Sequence, residues 1–300
     1  MKNISEQAQN KINIVGKLLD VSFGSGKLRT DSRDYERATA TVRVTQEYGG
    51  RTETSEIPVD IFATRFTNTG KPNPAWNTVQ TLKTLDSVQT AGIDGAATVR
   101  FNGTTIHENN FVSRNSGQLI TGFRINSSFL SEGHMNDIAS FILDIFIMDM
   151  HPEEDREGDP TGRLIIKGGL VQYGGVLDVL EFVVEERDSV EFIERNWNIN
   201  DTVTVKGRIR ITSVEEKSSG SNSSWGEDIP ETTTRSVREL IITKGDDTGK
   251  DEDFAYDPVE IKKAFNVRKA KIEQMQLDAK SKPAATTAAP ASSASKYSWE

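Results

Sequence analysis

Three histidines, His107, His134 and His151, stand isolated along the chain with no second ligand at metal-binding spacing, and there is no cysteine. A thiolate zinc site, a cysteine nucleophile and a disulfide framework are therefore excluded. Gly24-Ser25-Gly26-Lys27 has part of a phosphate loop, but that pattern needs glycine where Val21 stands and Ser or Thr where Leu28 stands. It reads instead as a turn between the first two strands. The acidic runs Glu153-Glu154-Asp155 and Asp251-Glu252-Asp253 lack a calcium loop's glycine in register and read as solvated loops. No cofactor or metal site emerges, and catalysis is not expected.

Binding chemistry is better represented, because a single-stranded nucleic acid is held by cations along a groove and by aromatic faces on which bases stack. Lys27, Arg29, Arg33 and Arg37 supply the first requirement and Phe23 and Tyr35 the second, although Asp31, Asp34 and Glu36 are interleaved and a solvated loop is the competing reading. In the run Ile57 to Phe62, the alternating Ile57, Val59 and Ile61 take the inward positions and turn Phe62 outward, with Arg65 and Phe66 following. An outward phenylalanine is costly unless it binds something or packs under a neighbouring helix or loop. Arg43 is turned outward in the same way by Val42 and Val44; Tyr48 sits at a hairpin tip, and Phe111 and Arg114 lie in a later loop expected at the groove edge. Further along, Thr204, Lys206, Arg208 and Arg210 share one strand face. That ladder either follows phosphates or pairs with Glu181, Glu185 and Glu186; Lys167, Tyr173 and Phe182 are secondary candidates.

The elements that position these residues occur twice. Gln46-Glu47-Tyr48-Gly49-Gly50 and Val171-Gln172-Tyr173-Gly174-Gly175 each lie between runs rich in β-branched residues and read as hairpins. Helical spacing follows each, over Trp76 to Val88 and over Asp188 to Trp197, and then strands Thr98 to Gly103 and Thr202 to Gly207. Closing strands are expected at Leu119 to Phe129 and Val237 to Thr243, and openers at Ile12 to Val21 and Phe141 to Met150. Five strands with a helix between the third and fourth is the order of an OB-fold. The expected architecture is mainly β: one OB barrel over 10–133, a second, acidic one over 138–246, and an acidic linker, helix and tail over 247–300. Extra residues around Thr64 to Pro74 and Gln89 to Ala97 read as loop insertions, and Lys217 to Glu231 as a long flexible loop around Trp225. Asp257-Pro258 starts the C-terminal helix, through about Lys280, and Ser281 to Ser295 is expected to be disordered.

Charge separates the halves. The 300 residues carry a net charge of -9, yet residues 1–133 hold 15 basic and 13 acidic side chains against 13 and 24 in residues 134–250. An anionic ligand therefore favours the first barrel. The longest apolar stretch, Phe141 to Met150, is too short to span a bilayer and carries Asp144 and Asp149, and the first ten residues are polar, so a cytoplasmic protein without a membrane partner is expected.

Several of these segments carry a resemblance. Asn10 to Leu18 resembles the opening strand of bacterial-type single-stranded DNA-binding proteins, and Ile57-Pro58-Val59-Asp60-Ile61-Phe62 resembles their third strand. The whole layout is similar to the tandem-OB single-stranded DNA-binding proteins of bacteriophages, through Gly162 to Gly168, the Tyr-Gly-Gly hairpin, Arg238 to Thr243 and Tyr256-Asp257-Pro258. The resemblance implies a protein that coats single-stranded DNA without sequence preference in replication or recombination, with Phe62 as a base-stacking position. It also implies other replication proteins as partners of the tail, here ending in Trp299-Glu300 without that family's terminal acidic run; near Glu56 no tryptophan matches its third-strand stacking residue. The rival reading is a structural or adaptor protein whose barrels serve protein contacts, favoured if Phe62, Phe66 and Tyr48 are all buried.

Overall fold

The computed structural model describes residues 1–113, 116–133, 136–155, 157–218 and 231–281. In chain order, β1 (Asn10–Lys27), β2 (Asp34–Tyr48) and β3 (Arg51–Thr64) precede α1 (Pro74–Leu82), α2 (Val88–Gly95) and β4 (Thr98–Glu108). A small hairpin, β5 (Phe111–Val112) with β6 (Leu119–Ile120), leads to β7 (Phe123–Asn126) and β8 (Phe129–Glu132). The order then repeats as β9 (Ile138–Glu154), β10 (Pro160–Val171), β11 (Leu177–Val184), α3 (Arg187–Asn196), β12 (Thr202–Ser218) and β13 (Glu231–Gly245), before α4 (Pro258–Ser281).

Strict alternation of apolar residues drives each strand to one register. Ala38, Ala40, Val42 and Val44 of β2 and Ile57, Val59, Ile61 and Ala63 of β3 are all buried, and a slip of one residue would expose every one of them. The first ring closes as β1-β2-β3-β7-β4-β1, with β3 parallel to β7 through Val59 and Ile125. The second closes identically as β9-β10-β11-β13-β12-β9, with Val183 of β11 parallel to Ile241 of β13. Two five-stranded OB barrels result, as the element order implied. They are joined by β1 and β9, which pair antiparallel from Asn10 opposite Leu143 to Val15 opposite Ile138. Ile12 and Phe141 face the same side of this seam, so the core runs without a break from one barrel into the other.

Several boundaries differ from expectation. Gly24 to Lys27 is not a turn but the end of β1, paired with Asp34 to Arg37 of β2. The single helix expected over Trp76 to Val88 ends at Leu82; the Ser87 hydroxyl caps Thr90 and starts α2, so the 89–97 insertion is largely helical. The first barrel's closing strand is divided: β6 pairs with β5, β7 closes the ring, and β8 pairs with β4. In the second barrel β12 and β13 continue as a paired ribbon to Ser218 and Glu231. The rest of the expected loop, with Trp225, and the tail from Lys282 lie outside the described residues. No helix among the described residues is long and apolar enough to cross a membrane.

Gly207 of β12 lies hard against the backbone of β13 and the side chain of Phe141 on β9. A Cβ at Gly207 would fall on the Ile241 carbonyl oxygen and the Phe141 ring, so only glycine fits. Gly207→Ala is expected to destabilise the fold by about 1–3 kcal/mol through overpacking, read as a lowered urea midpoint with an unchanged slope.

Candidate nucleic-acid interface

On the outer face of β1, β2 and β3, cross-strand register brings together residues far apart in sequence. Gly24 stands opposite Arg37, which stands opposite Phe62; one step along, Gly26, Tyr35 and Thr64 form the next row. The Tyr35 and Phe62 rings lie 5.1 Å apart, tilted by 32°. Phe62 keeps 56% of its surface exposed and Phe66 keeps 47%. The two glycines are chosen for space, since a Cβ at Gly26 would lie 2.8 Å from the Tyr35 hydroxyl and one at Gly24 would lie 2.6 Å from Arg37 Nε. They let both side chains lie flat across β1, which makes a low platform with an aromatic pair at its edge.

The interleaved acids do not neutralise this platform, because each is engaged elsewhere. Asp31 pairs with Arg33 at 2.7 Å, Asp34 lies 4.0 Å from Lys27, and Glu36 accepts from Lys83 at 2.6 Å. Burial works against the charged form of Glu36, but the Lys83 and Gln80 hydrogen bonds outweigh it and hold its pKa below the ordinary value. Arg29, Arg37 and Arg65 are left exposed with no carboxylate partner among the described residues. Arg33 takes a bracing role instead: it donates to the Phe66 carbonyl oxygen at 3.2 Å and to Asn68 Oδ1 at 2.8 Å, fixing the loop after β3 to the β1–β2 tip. Arg65 lies 5.8 Å from the Phe66 ring on that braced loop. An open cleft lined by Asp31, Arg33, Phe66, Thr67, Asn68 and Gly70 continues from it.

Other candidates are placed elsewhere. Arg43 pairs with Glu56 at 3.0 Å on the same face as the platform, beyond Thr39 and Thr41. The β5–β6 hairpin carries Phe111 to α4, near where Arg268 pairs with Glu108, and Phe111 makes no ring contact with Tyr35 or Phe62. Arg114 lies outside the described residues. Tyr48 is half-buried between the barrels with the Arg208 guanidinium 4.4 Å over its ring. Arg208 binds Glu53 and, at 2.8 Å, Glu185; Arg210 binds Glu239 and, at 2.6 Å, Glu185. Arg163 reaches Glu239 at 2.6 Å and Glu153 at 3.3 Å and completes a charge cluster across the seam. Of the ladder expected on β12, then, only Lys206 stays exposed. Lys167 lies 3.7 Å from Asp149, Tyr173 projects from its turn, and Phe182 is not a surface residue at all: it is fully buried against Phe141, 5.9 Å between centroids, because the inward positions of β11 are 180, 182 and 184. Arg37, one of the expected cations, lies on the platform, and the two glycines, read from sequence as a turn, are the additions; the signal for them is Gly-x-Gly within an alternating strand.

The model of the YorF family matches residues 8–278. No curated protein matches the sequence. Among solved structures, wild-type single-stranded DNA binding protein from Thermus aquaticus aligns with a TM-score of 0.52 at 10% identity, covering 84% of this chain and 98% of that one. That likeness shows a shared fold. A chain of a replication protein A heterotrimer bound to ssDNA aligns at a TM-score of 0.20 and 9% identity, over 90% of this chain and 71% of that one.

Burial raises the Glu239 carboxyl, and hydrogen bonds from Arg163 and Arg210 outweigh it, holding the pKa below the ordinary value. A carboxylate whose pKa is depressed by folding adds stability above its unfolded pKa, about 4.3, that is lost as pH falls through the folded value. The urea midpoint is therefore expected to drop on acidification from neutral pH to below about pH 4. In Glu239→Gln that drop should be smaller, although the variant starts from lower stability at neutral pH.

Proposed function

The chain belongs to the YorF family, and we propose that it binds single-stranded DNA without sequence preference through the Tyr35–Phe62 platform of its first barrel, serving DNA replication or recombination. The carrying observation is the exposed Phe62 ring against Tyr35, with Arg29, Arg37 and Arg65 exposed and without a carboxylate partner among the described residues. Every base offers a π-face, so stacking on Phe62 is indifferent to sequence, and arginines that meet phosphates add affinity without adding selectivity. A stacked base is worth about 1–3 kcal/mol by alanine substitution. The rival reading, a barrel for protein contacts alone, would be favoured by burial of Phe62, Phe66 and Tyr48 together; Phe62 and Phe66 are exposed, and only Tyr48 is covered. The β12 arginines of the second barrel do not add to this platform, because Arg208 and Arg210 are spent on Glu185, on Glu239 and on Glu53 of the first barrel. The activity so assigned is binding, with no reaction attached.

The test is fluorescence anisotropy of a labelled oligo-dT titrated at several salt concentrations with duplex competitor present. Binding is expected to ignore duplex, to weaken with salt by a slope of about 0.7 per phosphate contacted, and to fall about 5–150-fold in Phe62→Ala. Absence of binding at low salt, or an unchanged affinity in the variant, would sink this reading. A gentler probe is Gly26→Ala, whose Cβ meets only the tip of Tyr35. It should lift the tyrosine off the platform and weaken DNA binding while leaving the unfolding free energy from urea titration within about 0.5 kcal/mol of wild type.

A further inference from the structure

A second basic surface lies away from the platform, on the outer face of the seam between the barrels. Lys11 of β1 stands opposite Ile142 of β9, Ile142 stands opposite Lys206 of β12, and Lys206 stands opposite Lys244 of β13. One row therefore crosses four strands and both barrels, with all three lysines exposed. Lys206 and Lys244 are like charges at directly opposed positions, an arrangement that costs stability. Nothing on the row offsets that cost: none of the three has an ion-pair partner among the described residues. The carboxylate on the same face of β9, Asp144, is buried and already taken by Lys250 at 2.7 Å and Thr204 at 2.9 Å. The contrast with neighbouring cations is sharp, since Arg163, Arg208, Arg210 and Arg268 are each held by carboxylates in a chain of net charge -9. A row of uncompensated lysines maintained against that background fits a polyanion, and lysine suits phosphate as a point charge rather than a base edge as a fork.

We propose that Lys11, Lys206 and Lys244 form a second phosphate-contact surface that takes the backbone of the same DNA strand beyond the Tyr35–Phe62 platform. This rests on the function proposed above. β1 links the two sites on its outer face: Gly24 and Gly26 underlie the platform, and Lys11 lies at its other end, roughly 40 Å of strand away. A short oligonucleotide held at the platform cannot reach the row, whereas a long one can. The second barrel thus contributes to binding by charge alone, through β12 and β13, without an aromatic platform of its own.

The experiment compares the full-length wild-type chain with Lys11→Gln/Lys244→Gln on oligo-dT of about 5 and about 35 nucleotides, the first near the lower limit of what one OB barrel holds and too short to span the distance. Expected is an unchanged affinity for the short oligonucleotide. For the long one, binding should weaken about tenfold and the salt slope should fall by about 1.4, two contacts at about 0.7 each. Removing an opposed like charge should leave the urea midpoint equal or higher, so misfolding is not the cause of any loss. Equal affinities and slopes on the long oligonucleotide, or equal losses at both lengths, would overturn the second surface. Failure of the platform reading is separately visible, as wild-type protein that binds neither length or as Phe62→Ala that binds the short one normally.

Discussion

Pairing of β1 with β9 is the constraint on which the rest of the molecule depends. An OB barrel closes its own ring but leaves half of its long first strand able to accept a further partner. Here that edge is satisfied by the equivalent strand of the second barrel, so the ladder from Asn10 opposite Leu143 to Val15 opposite Ile138 removes an exposed edge from both units at once. Because Ile12 and Phe141 point to the same side, the pairing also merges two small cores into one, which buries more apolar surface than either barrel would alone. Side chains lock the register. Asn10 bridges the Ile106 backbone and Gln172, and the Gln46 side chain accepts from Ala139 N, so each barrel's hairpin grips the other's strands.

That arrangement explains why two copies of one fold carry different surfaces. Glu53 of the first barrel meets Arg208 and Arg210 of the second across the seam, and Glu185 and Glu239 complete the set. Burying so many charges is tolerable only when each is paired, and pairing removes them from any ligand. The first barrel's platform lies at the far end of β1 and β2, away from this demand, so Arg29, Arg37 and Arg65 have no carboxylate partner among the described residues while its acids are held by Lys27, Arg33 and Lys83. The first barrel presents exposed aromatic faces and the second braces it, while the lysine row of Lys11, Lys206 and Lys244 lies exposed across both.

The fold was legible because an OB barrel is written in local periodicity repeated twice: alternating strands, a Tyr-Gly-Gly hairpin, a short helix, and alternating strands again. The outward turn of Phe62 and the inward set Val42, Val44, Ile57, Val59 and Ile61 follow from period two alone. Misplaced boundaries are those that long-range pairing sets. Gly24 and Gly26 resemble a turn in isolation, yet they are strand because Tyr35 and Arg37 need bare backbone to lie on. Phe182, in phase with Leu180 and Val184 around the exposed Glu181, lies in the core against Phe141, whereas Phe62 falls out of phase with Ile57, Val59 and Ile61 and stays exposed.

By itself, then, the amino-acid sequence determined the element types, their duplicated order, the core face of each strand and the candidate status of the basic and aromatic residues, since these depend on side-chain period and type. Tertiary structure decided which cations remain available. Arg33, Arg37, Arg65, Arg208 and Arg210 are indistinguishable by sequence pattern, but an ion pair forms between residues brought within about 4 Å, whatever their separation along the chain. Arg208 found Glu53, 155 residues away, and Arg37 found only glycine and Phe62. No periodicity encodes that difference, because it arises where β1 meets β9 and one barrel's carboxylates are pressed against the other's arginines.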